Sequence, residues 1–415
     1  MPTVEGLGAR QAALQMLDSV LRRGQTLEAA AGSERKLSPA DHGLALAIAG
    51  ETLRRIPDLD GLIDSATRNR LADDSKARTV LRLALAQKIG LGTPDHAVVS
   101  TALPLVDGGP RRLVHGVLGT LLRRGLPAID APRLPADVER RLGSAWGEDV
   151  VAAARRQMAA RPALDLTFAD DAEAQAYASA NNGSSLAPNN VRLPSSSVSD
   201  LPGFGEGRWW VQDLAASLPA RLIGKAGDVL DLCAAPGGKT MQLAAAGHRV
   251  TAVDASQSRL GRLRENLQRT HLDAELIAAD ALTWTPKRQF DAILLDAPCS
   301  ATGTFRRHPE VLYRARPKVI AGSAELQGKL LDRAAAWLRD GGALIYSVCS
   351  LEPQEGEDVV GAFLGSHPDF RIEAPVGLPS FVPVSREGGV RILPGLLEPE
   401  GGLDGFFIAR LVRNG

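Results

Sequence analysis

The chain has 415 residues, 44% apolar and 23% charged, which suits two or three packed domains and excludes wholesale disorder. Lysine plus arginine equals aspartate plus glutamate at 48 each, so any nucleic-acid contact must come from local basic patches and not from net charge. Three widely spaced cysteines exclude a disulfide framework, and the apolar runs are far too short to cross a bilayer. The opening residues, Met1-Pro2-Thr3-Val4-Glu5, lack the basic-then-apolar pattern of a secretory signal, and a reducing cytoplasm is the expected location.

Residues 9 to about 125 read as one helix after another. Ala13, Leu14, Leu17, Val20 and Leu21 recur at helical spacing, with Gly24 as the stop. Ser38-Pro39-Ala40-Asp41 is a helix start, with a capping serine, a first-turn proline and an acid three residues on. That helix is expected to end at about Ile56, before Pro57. Further helices are predicted from Ser75 to Ile89, from Thr93-Pro94 onward, and from Arg111 to Arg124, closed by Gly125 and Pro127. With no competing strand pattern, residues 1–127 form an all-α domain. Arginines are paired here: Arg22-Arg23, Arg54-Arg55, Arg111-Arg112 and Arg123-Arg124. Any one pair suits a solvated helix face or a helix C-terminal dipole better than RNA phosphates, and the recurrence of pairs raises the RNA reading for the set.

Residues 128–208 read as linker helices and a small α+β subdomain. A Pro-rich link leads to a helical stretch from Val138 to Ala160, with Trp146 and the pairs Arg140-Arg141 and Arg155-Arg156. Ala163 to Phe168 alternates like a half-buried strand, and Asp171 to Ala180 reads as a short helix. Asn181 to Gly207, rich in Asn, Gly, Ser and Pro, is mostly loop with one or two short strands.

From Trp209 to the end, strands and helices alternate, which predicts a parallel Rossmann-like α/β sheet with crossover helices. Strands are placed at 228–232, 249–253, 274–278, 290–295 and 343–348, with late strands near 390–393 and 405–412 closing the sheet. Helices fall near 239–246, 256–270 and 323–339. All three cysteines, Cys233, Cys299 and Cys349, follow the carboxyl ends of predicted strands, where open α/β sheets bind ligands.

The first such loop is Asp231-Leu232-Cys233-Ala234-Ala235-Pro236-Gly237-Gly238-Lys239-Thr240. Small residues let backbone approach a ligand closely. The loop is neither GxGxxG nor GxxxxGK[ST], so a pyrophosphate-bearing nucleotide is disfavoured, and with it a nicotinamide-dependent oxidoreductase. S-adenosylmethionine has no phosphate and suits the loop better. Asp254 ends the next strand, where an acid accepts ribose hydroxyls or simply caps the following helix. Asp280 ends the third, placed for an adenine amino group or for a cap.

Asp296-Ala297-Pro298-Cys299-Ser300 and Tyr346-Ser347-Val348-Cys349-Ser350 put two thiols at separate strand ends. A thiolate at Cys349 can add to carbon 6 of a cytosine, which makes carbon 5 a nucleophile for a sulfonium methyl group. Cys299 is placed to help the later elimination, and Asp296 to protonate or hydrogen-bond ring nitrogen 3. The bland alternative, small apolar filler, suits one cysteine better than two beside a presumed crevice. A zinc site would want CxxC spacing, which is missing. Arg306, Arg307 and His308, in the loop after Cys299, suit phosphate contacts to a flipped-out nucleotide, or a solvated loop.

The motifs DLCAAPGGKT, DAPCSATG and YSVCSLEP resemble those of RNA cytosine-5 methyltransferases of the NOL/NOP/Sun superfamily. The helical N-terminal part, which resembles the NusB domain, and Arg391-Ile392-Leu393-Pro394 followed by Asp404-Gly405-Phe406-Phe407 fit the bacterial Sun/Fmu branch, which methylates 16S ribosomal RNA. Gln212-Asp213 resembles the family's entry to the catalytic domain. The resemblance implies that Cys233 through Lys239 hold S-adenosylmethionine, that Asp254 holds its ribose, and that Asp280 lies at its adenine. It further implies Asp296 bordering both methionine and cytosine, Cys349 as nucleophile, and Cys299 assisting release of the product. An Arg-x-Asn triplet usual in the family near the subdomain's first strand is replaced here by Leu164-Asp165-Leu166-Thr167-Phe168. The expected partner is RNA, most of all ribosomal RNA, with no metal and no membrane, and the expected state a monomer. The same reaction on tRNA or another rRNA site, and a noncatalytic RNA-binding factor of the same fold, are the alternatives. The intact thiols and cofactor loop weigh against the last.

Overall fold

The computed structural model describes residues 6–32, 37–194, 198 and 201–415. They form two compact units, one of Met1–Ala160 with Phe305–Arg314, the other of Arg161–Thr304 with Ala315–Gly415.

The first unit is helical: α1 (Leu7–Arg23), α2 (Leu27–Ala31), α3 (Pro39–Ser65), α4 (Lys76–Leu91), α5 (Asp95–Ala102), α6 (Gly108–Arg124), α7 (Ala136–Trp146) and α8 (Glu148–Ala159). Gly24 closes α1 in the left-handed conformation, φ 67°, with its N–H on the Val20 carbonyl. Ser38 caps α3, accepting from Asp41 N at 3.1 Å. Ala13, Met16, Leu17, Ile48, Leu53, Leu81, Leu85 and Leu118 are among its fully packed core. The predicted stop at Pro57 is overturned, since α3 runs on to Ser65. Pro57 has no N–H, so the Leu53 carbonyl four residues back loses its helical partner. Burial of Leu59 and Ile63 on the same helix continues beyond the proline and offsets that loss. The expected single stretch 138–160 is two helices, broken at Gly147 (φ 87°, ψ 167°), a conformation only glycine adopts readily. Both group with the helical unit, which runs to Ala160.

The second unit begins with β1 (Leu164–Phe168), α9 (Asp171–Ala180), β2 (Asn190–Leu193) and β3 (Trp209–Val211), the strands forming a small antiparallel sheet in the order β2-β1-β3. The aspartate on β1 has a definite structural role. Asp165 is 1% exposed, takes a bidentate pair from Arg192 at 2.8 and 2.6 Å, and accepts Leu214 N at 3.0 Å. It ties the small sheet to the start of α10 (Leu214–Arg221).

The main sheet follows: β4 (Asp228–Leu232), α11 (Gly238–Ala245), β5 (Arg249–Asp254), α12 (Gln257–Thr270), β6 (Glu275–Ala278) and β7 (Phe290–Asp296). The chain then enters the helical unit, forms α13 (Val311–Arg314), and returns as α14 (Pro317–Ala336), β8 (Leu338–Val348), α15 (Glu357–Ser366), β9 (Phe370–Ile372), β10 (Val390–Ile392) and β11 (Phe406–Arg413). The order is β10-β11-β8-β7-β4-β5-β6, with β9 beside β11. Strands β4 to β8 pair in parallel, and β11 antiparallel to β8. Period-two alternation covers both faces. Leu230, Leu232, Ile293 and Leu295 pack with Leu330, Leu331 and Phe363 of α14 and α15 on one side. Val229, Ala292 and Leu294 pack with Leu214 and Leu218 of α10 on the other. Connections turn opposite ways between β4 and β7, which opens a ligand crevice at their carboxyl ends.

Candidate active site

The loop after β4 is held from within. Cys233 has φ 61°, a left-handed conformation unusual for a side chain with a Cβ, and its amide neighbour Ala234 N bonds the Val253 carbonyl at 3.1 Å. Gly237 starts α11 at φ 109°, and a Cβ there would run into the Leu263 side chain of α12. Behind the loop, the Thr240 hydroxyl donates to Asp231 Oδ2 at 2.6 Å, while the buried Asp231 Oδ1 has no hydrogen-bond partner. Burial pushes the Asp231 carboxyl up to about 7. Burial, reinforced by Asp296, Asp254 and Asp231, pushes the Cys233 thiol up to about 12. Cys233 is therefore an unreactive thiol packed against the sheet.

The three acids assigned to the cofactor lie at neighbouring strand ends. Asp254 is 3% exposed; its Oδ2 accepts Ala235 N at 3.1 Å and its Oδ1 accepts Ser256 N at 2.9 Å. It fastens the glycine-rich loop to the next turn, so capping is present whatever else it binds. Asp280 is exposed and its Oδ1 accepts Leu282 N at 2.9 Å, the geometry of an Asx turn. Asp296 takes the Lys239 ammonium at 2.7 Å on one oxygen and the Ser347 hydroxyl at 2.8 Å on the other. Lys239, the loop's only cation, is thus neutralised and offers no phosphate cradle. Carboxylates at the ends of β5 and β7, another just past β6, and a glycine-rich turn whose neighbouring cations Lys239 and Arg259 are paired with Asp296 and Asp254 suit a ligand with hydroxyls, an amino group and a positive centre. S-adenosylmethionine fits that donor set.

Strand register brings the two remaining thiols together. Asp296 of β7 lies opposite Ser347 of β8, and the chain beyond each carries one cysteine. Cys299 Sγ and Cys349 Sγ are 3.5 Å apart, both partly exposed. The hydrogen bond with Cys349, then burial, pushes the Cys299 thiol well above its ordinary value. Either sulfur can donate in this contact.

Sequence reasoning passed over the group beneath the thiols. Glu355, fully buried, accepts Ser300 N at 2.8 Å on Oε1, and the Ser300 and Ser350 hydroxyls on Oε2, the latter at 2.5 Å. Gln327 Nε2 adds a bond to Oε1 at 3.3 Å and another to the Pro298 carbonyl at 2.9 Å. An acid in the run Glu352-Pro353-Gln354-Glu355-Gly356-Glu357 reads as solvated, and no periodic signal marks it as buried.

The loop after Cys299 corrects another expectation. Gly303 lies so close to Gly405 that a Cβ would strike the Gly405 carbonyl oxygen. Past Thr304 the chain belongs to the helical unit. Arg306 is 1% exposed, its carbonyl accepts Arg54 at 2.7 Å, and its side chain cannot meet a phosphate from inside the unit. Arg307 is half-buried; only His308 of the three is exposed. Of the arginine pairs, Arg55 is buried against Glu51 at 2.5 Å and the Ile129 carbonyl at 2.9 Å, while Arg111, Arg112, Arg123 and Arg124 face solvent. Among the described residues no group of three or more His, Cys, Asp or Glu side chains is arranged to hold a metal, and no helix is long and apolar enough to cross a membrane.

A profile of the 16S rRNA methyltransferase RsmB/F family matches residues 224–412, and one of the NusB family matches residues 7–123. The chain is 35% identical to the ribosomal RNA small subunit methyltransferase B of Pseudomonas putida, over 98% of this chain and 99% of the relative. The protein of the same name from Vibrio cholerae is 33% identical over 98% and 97%. Among solved structures, that of PH0851 covers 99% of each chain at TM-score 0.74 and 22% identity, which shows a shared fold. A methyltransferase homolog protein from Pyrococcus horikoshii aligns over 71% of this chain and 98% of its own, at TM-score 0.56 and 27% identity. With its cofactor crevice and paired motifs, the chain belongs to the RsmB/F family of S-adenosylmethionine-dependent rRNA methyltransferases.

Proposed function

We propose that the enzyme methylates carbon 5 of a cytosine in 16S rRNA through a covalent cysteine–cytosine adduct. The observation that carries the reading is the pair of thiols, 3.5 Å apart at adjacent strand ends beside Asp296. Cys349 is the nucleophile, with the Cys299 thiol 3.5 Å from its sulfur, within reach to donate to it when the adduct breaks down. Attack on carbon 6 moves electron density onto carbon 5 and ring nitrogen 3. Asp296, held between Lys239 and Ser347, is placed to hydrogen-bond nitrogen 3. Bound S-adenosylmethionine supplies an electrophilic methyl group. Carbon 5 takes it, loses its proton to a base, and the Cys349 sulfur departs as Cys299 donates to it. Residues Cys233 through Lys239, with Asp254 and Asp280, hold the cofactor, and the exposed His308 and the exposed arginines of the helical unit are the remaining candidates for RNA contact.

The test is bisulfite sequencing of rRNA and tRNA from cells with and without the gene. Loss of one small-subunit rRNA 5-methylcytosine is expected. Loss only at a tRNA site overturns the rRNA assignment, and no loss anywhere overturns the reaction. Denaturing gels assign the thiols. Cys349→Ser should abolish methylation and trap no RNA, whereas Cys299→Ser should accumulate a covalent protein–RNA band. The reverse pattern exchanges their roles.

A further inference from the structure

Glu355 lies 0% exposed at the end of the turn Pro353–Glu355, among neutral donors. A buried carboxylate is stable only where hydrogen-bond donors meet its oxygens, and here they come from both thiol-bearing loops. Ser300, next to Cys299, gives its amide and hydroxyl; Ser350, next to Cys349, gives its hydroxyl. The two serine hydroxyls are 3.3 Å from each other. A further stitch runs between the loops through Thr302 Oγ1, which accepts Leu351 N at 2.9 Å. From below, the Tyr346 hydroxyl donates to the Glu355 carbonyl at 2.6 Å and fixes the turn to β8.

We propose that Glu355 is a positioning residue that sets the spacing and orientation of Cys299 and Cys349. The proposal rests on the cysteine-adduct reading for its kinetic consequence, though not for the thiol geometry itself. The brace joins the residue after each cysteine, so a shift in the carboxylate moves one sulfur relative to the other. Displacement of a reacting group by about 1 Å costs on the order of a hundredfold in rate. Glutamine in its place keeps the shape but exchanges one acceptor oxygen for a donor, which faces a hydroxyl or an N–H already donating.

The experiment uses the full chain, with single-turnover methylation of an unmethylated 16S rRNA transcript and mass-spectrometric alkylation of each cysteine by iodoacetamide. Glu355→Gln should lower the rate at saturating RNA and cofactor by about tenfold or more while S-adenosylhomocysteine affinity stays within about twofold. The Cys349-to-Cys299 labelling ratio should change with it. Ser300→Ala and Ser350→Ala leave the glutamate in place, guard against a folding failure, and should each cost about threefold, with a combined effect that is not the product of the two. A rate and labelling ratio within about twofold of wild type, or a rate loss matched by loss of folded protein with the ratio unchanged, overturns the proposal. If the wild type makes no 5-methylcytosine, the adduct reading falls, and the labelling ratio alone decides the brace.

Discussion

The helical unit and the floor of the candidate active site bury charge in opposite ways, although the small sheet of the second unit also holds a buried pair, Arg192 on Asp165. In the helical unit Arg78 is wholly buried, forks onto Asp64 at 2.7 and 2.9 Å, and reaches Asp60 at 3.1 Å, beside Arg82 on the same Asp60 at 2.7 and 2.8 Å. Each charge has an opposite charge against it. Behind the candidate active site, Asp231 and Glu355 are wholly buried with hydroxyls and amides as hydrogen-bond partners and no cation bonded to them. Ion pairs with bidentate geometry lock helices in register and leave little to adjust. Glu355 keeps its position by several bonds from neutral donors, while the Asp231 carboxyl, with the Thr240 hydroxyl as its hydrogen-bond donor, is pushed up by burial.

Breaking the ion-pair side of that contrast should give the largest effect. Arg78→Ala leaves Asp64 without its forked partner and removes one of two guanidiniums from Asp60, an expected loss of about 3–5 kcal/mol. In thermal or denaturant unfolding of the full chain, the transition of the helical unit should fall while S-adenosylhomocysteine affinity is kept. Unchanged unfolding would show that the network contributes no net stability.

The contrast also explains what the sequence made legible. Strand ends announced themselves because a buried parallel strand is a short apolar run and its ligand loop is built of small residues, so Asp231, Asp254, Asp296 and the cysteines stood where chain chemistry put them. Glu355 and the Arg78 network carry no such mark. Apart from Ser350, five positions away, the side-chain partners of Glu355 are 28 and 55 positions distant, and the hydrogen-bonded side-chain pairs of the Arg78 network are 14 to 22 apart, so nothing local distinguishes a buried acid from a solvated one. Arg306 misled for the same reason: an arginine beside a reactive loop looks like part of a phosphate grip, while it is buried and its carbonyl is held by Arg54, 252 positions away.

The neutral-dipole side predicts a pH dependence. Asp231 has a folded value of about 7 against an ordinary 3.8. Between those values the native state holds a proton that the unfolded chain has released, so the contribution of Asp231 to stability falls as pH rises, with nothing lost below about pH 4 and the full loss reached above about pH 7. That loss is at most about 4 kcal/mol. Asp231→Asn keeps an oxygen for the Thr240 hydroxyl and cannot ionise. Unfolding midpoints of the two proteins, compared from pH 4 to pH 8, should diverge in favour of the variant as pH rises. Parallel curves would mean that Asp231 stays ionised or stays neutral throughout, and would break the contrast.

The smallest effect concerns the place where the active-site chain enters the helical unit. Pro57 leaves the Leu53 carbonyl without a helical donor, and Tyr313 supplies one from outside, its hydroxyl 2.7 Å from that oxygen. Arg314 Nε on the Gly24 carbonyl at 2.7 Å and Leu27 N on Glu310 Oε1 at 3.1 Å fasten the same segment. Burial pushes the Tyr313 hydroxyl's pKa up, so it remains a donor across the working pH range. Tyr313→Phe should therefore cost about 1–2 kcal/mol, because the Leu53 oxygen then has neither donor. Pro57→Ala restores the helical N–H, and in that background the same tyrosine substitution should cost about 1 kcal/mol less. A double-mutant cycle by denaturant unfolding measures the difference. Full additivity would mean that the hydroxyl does not replace the missing N–H, and that the helix tolerates its proline through burial of Leu59 and Ile63 alone.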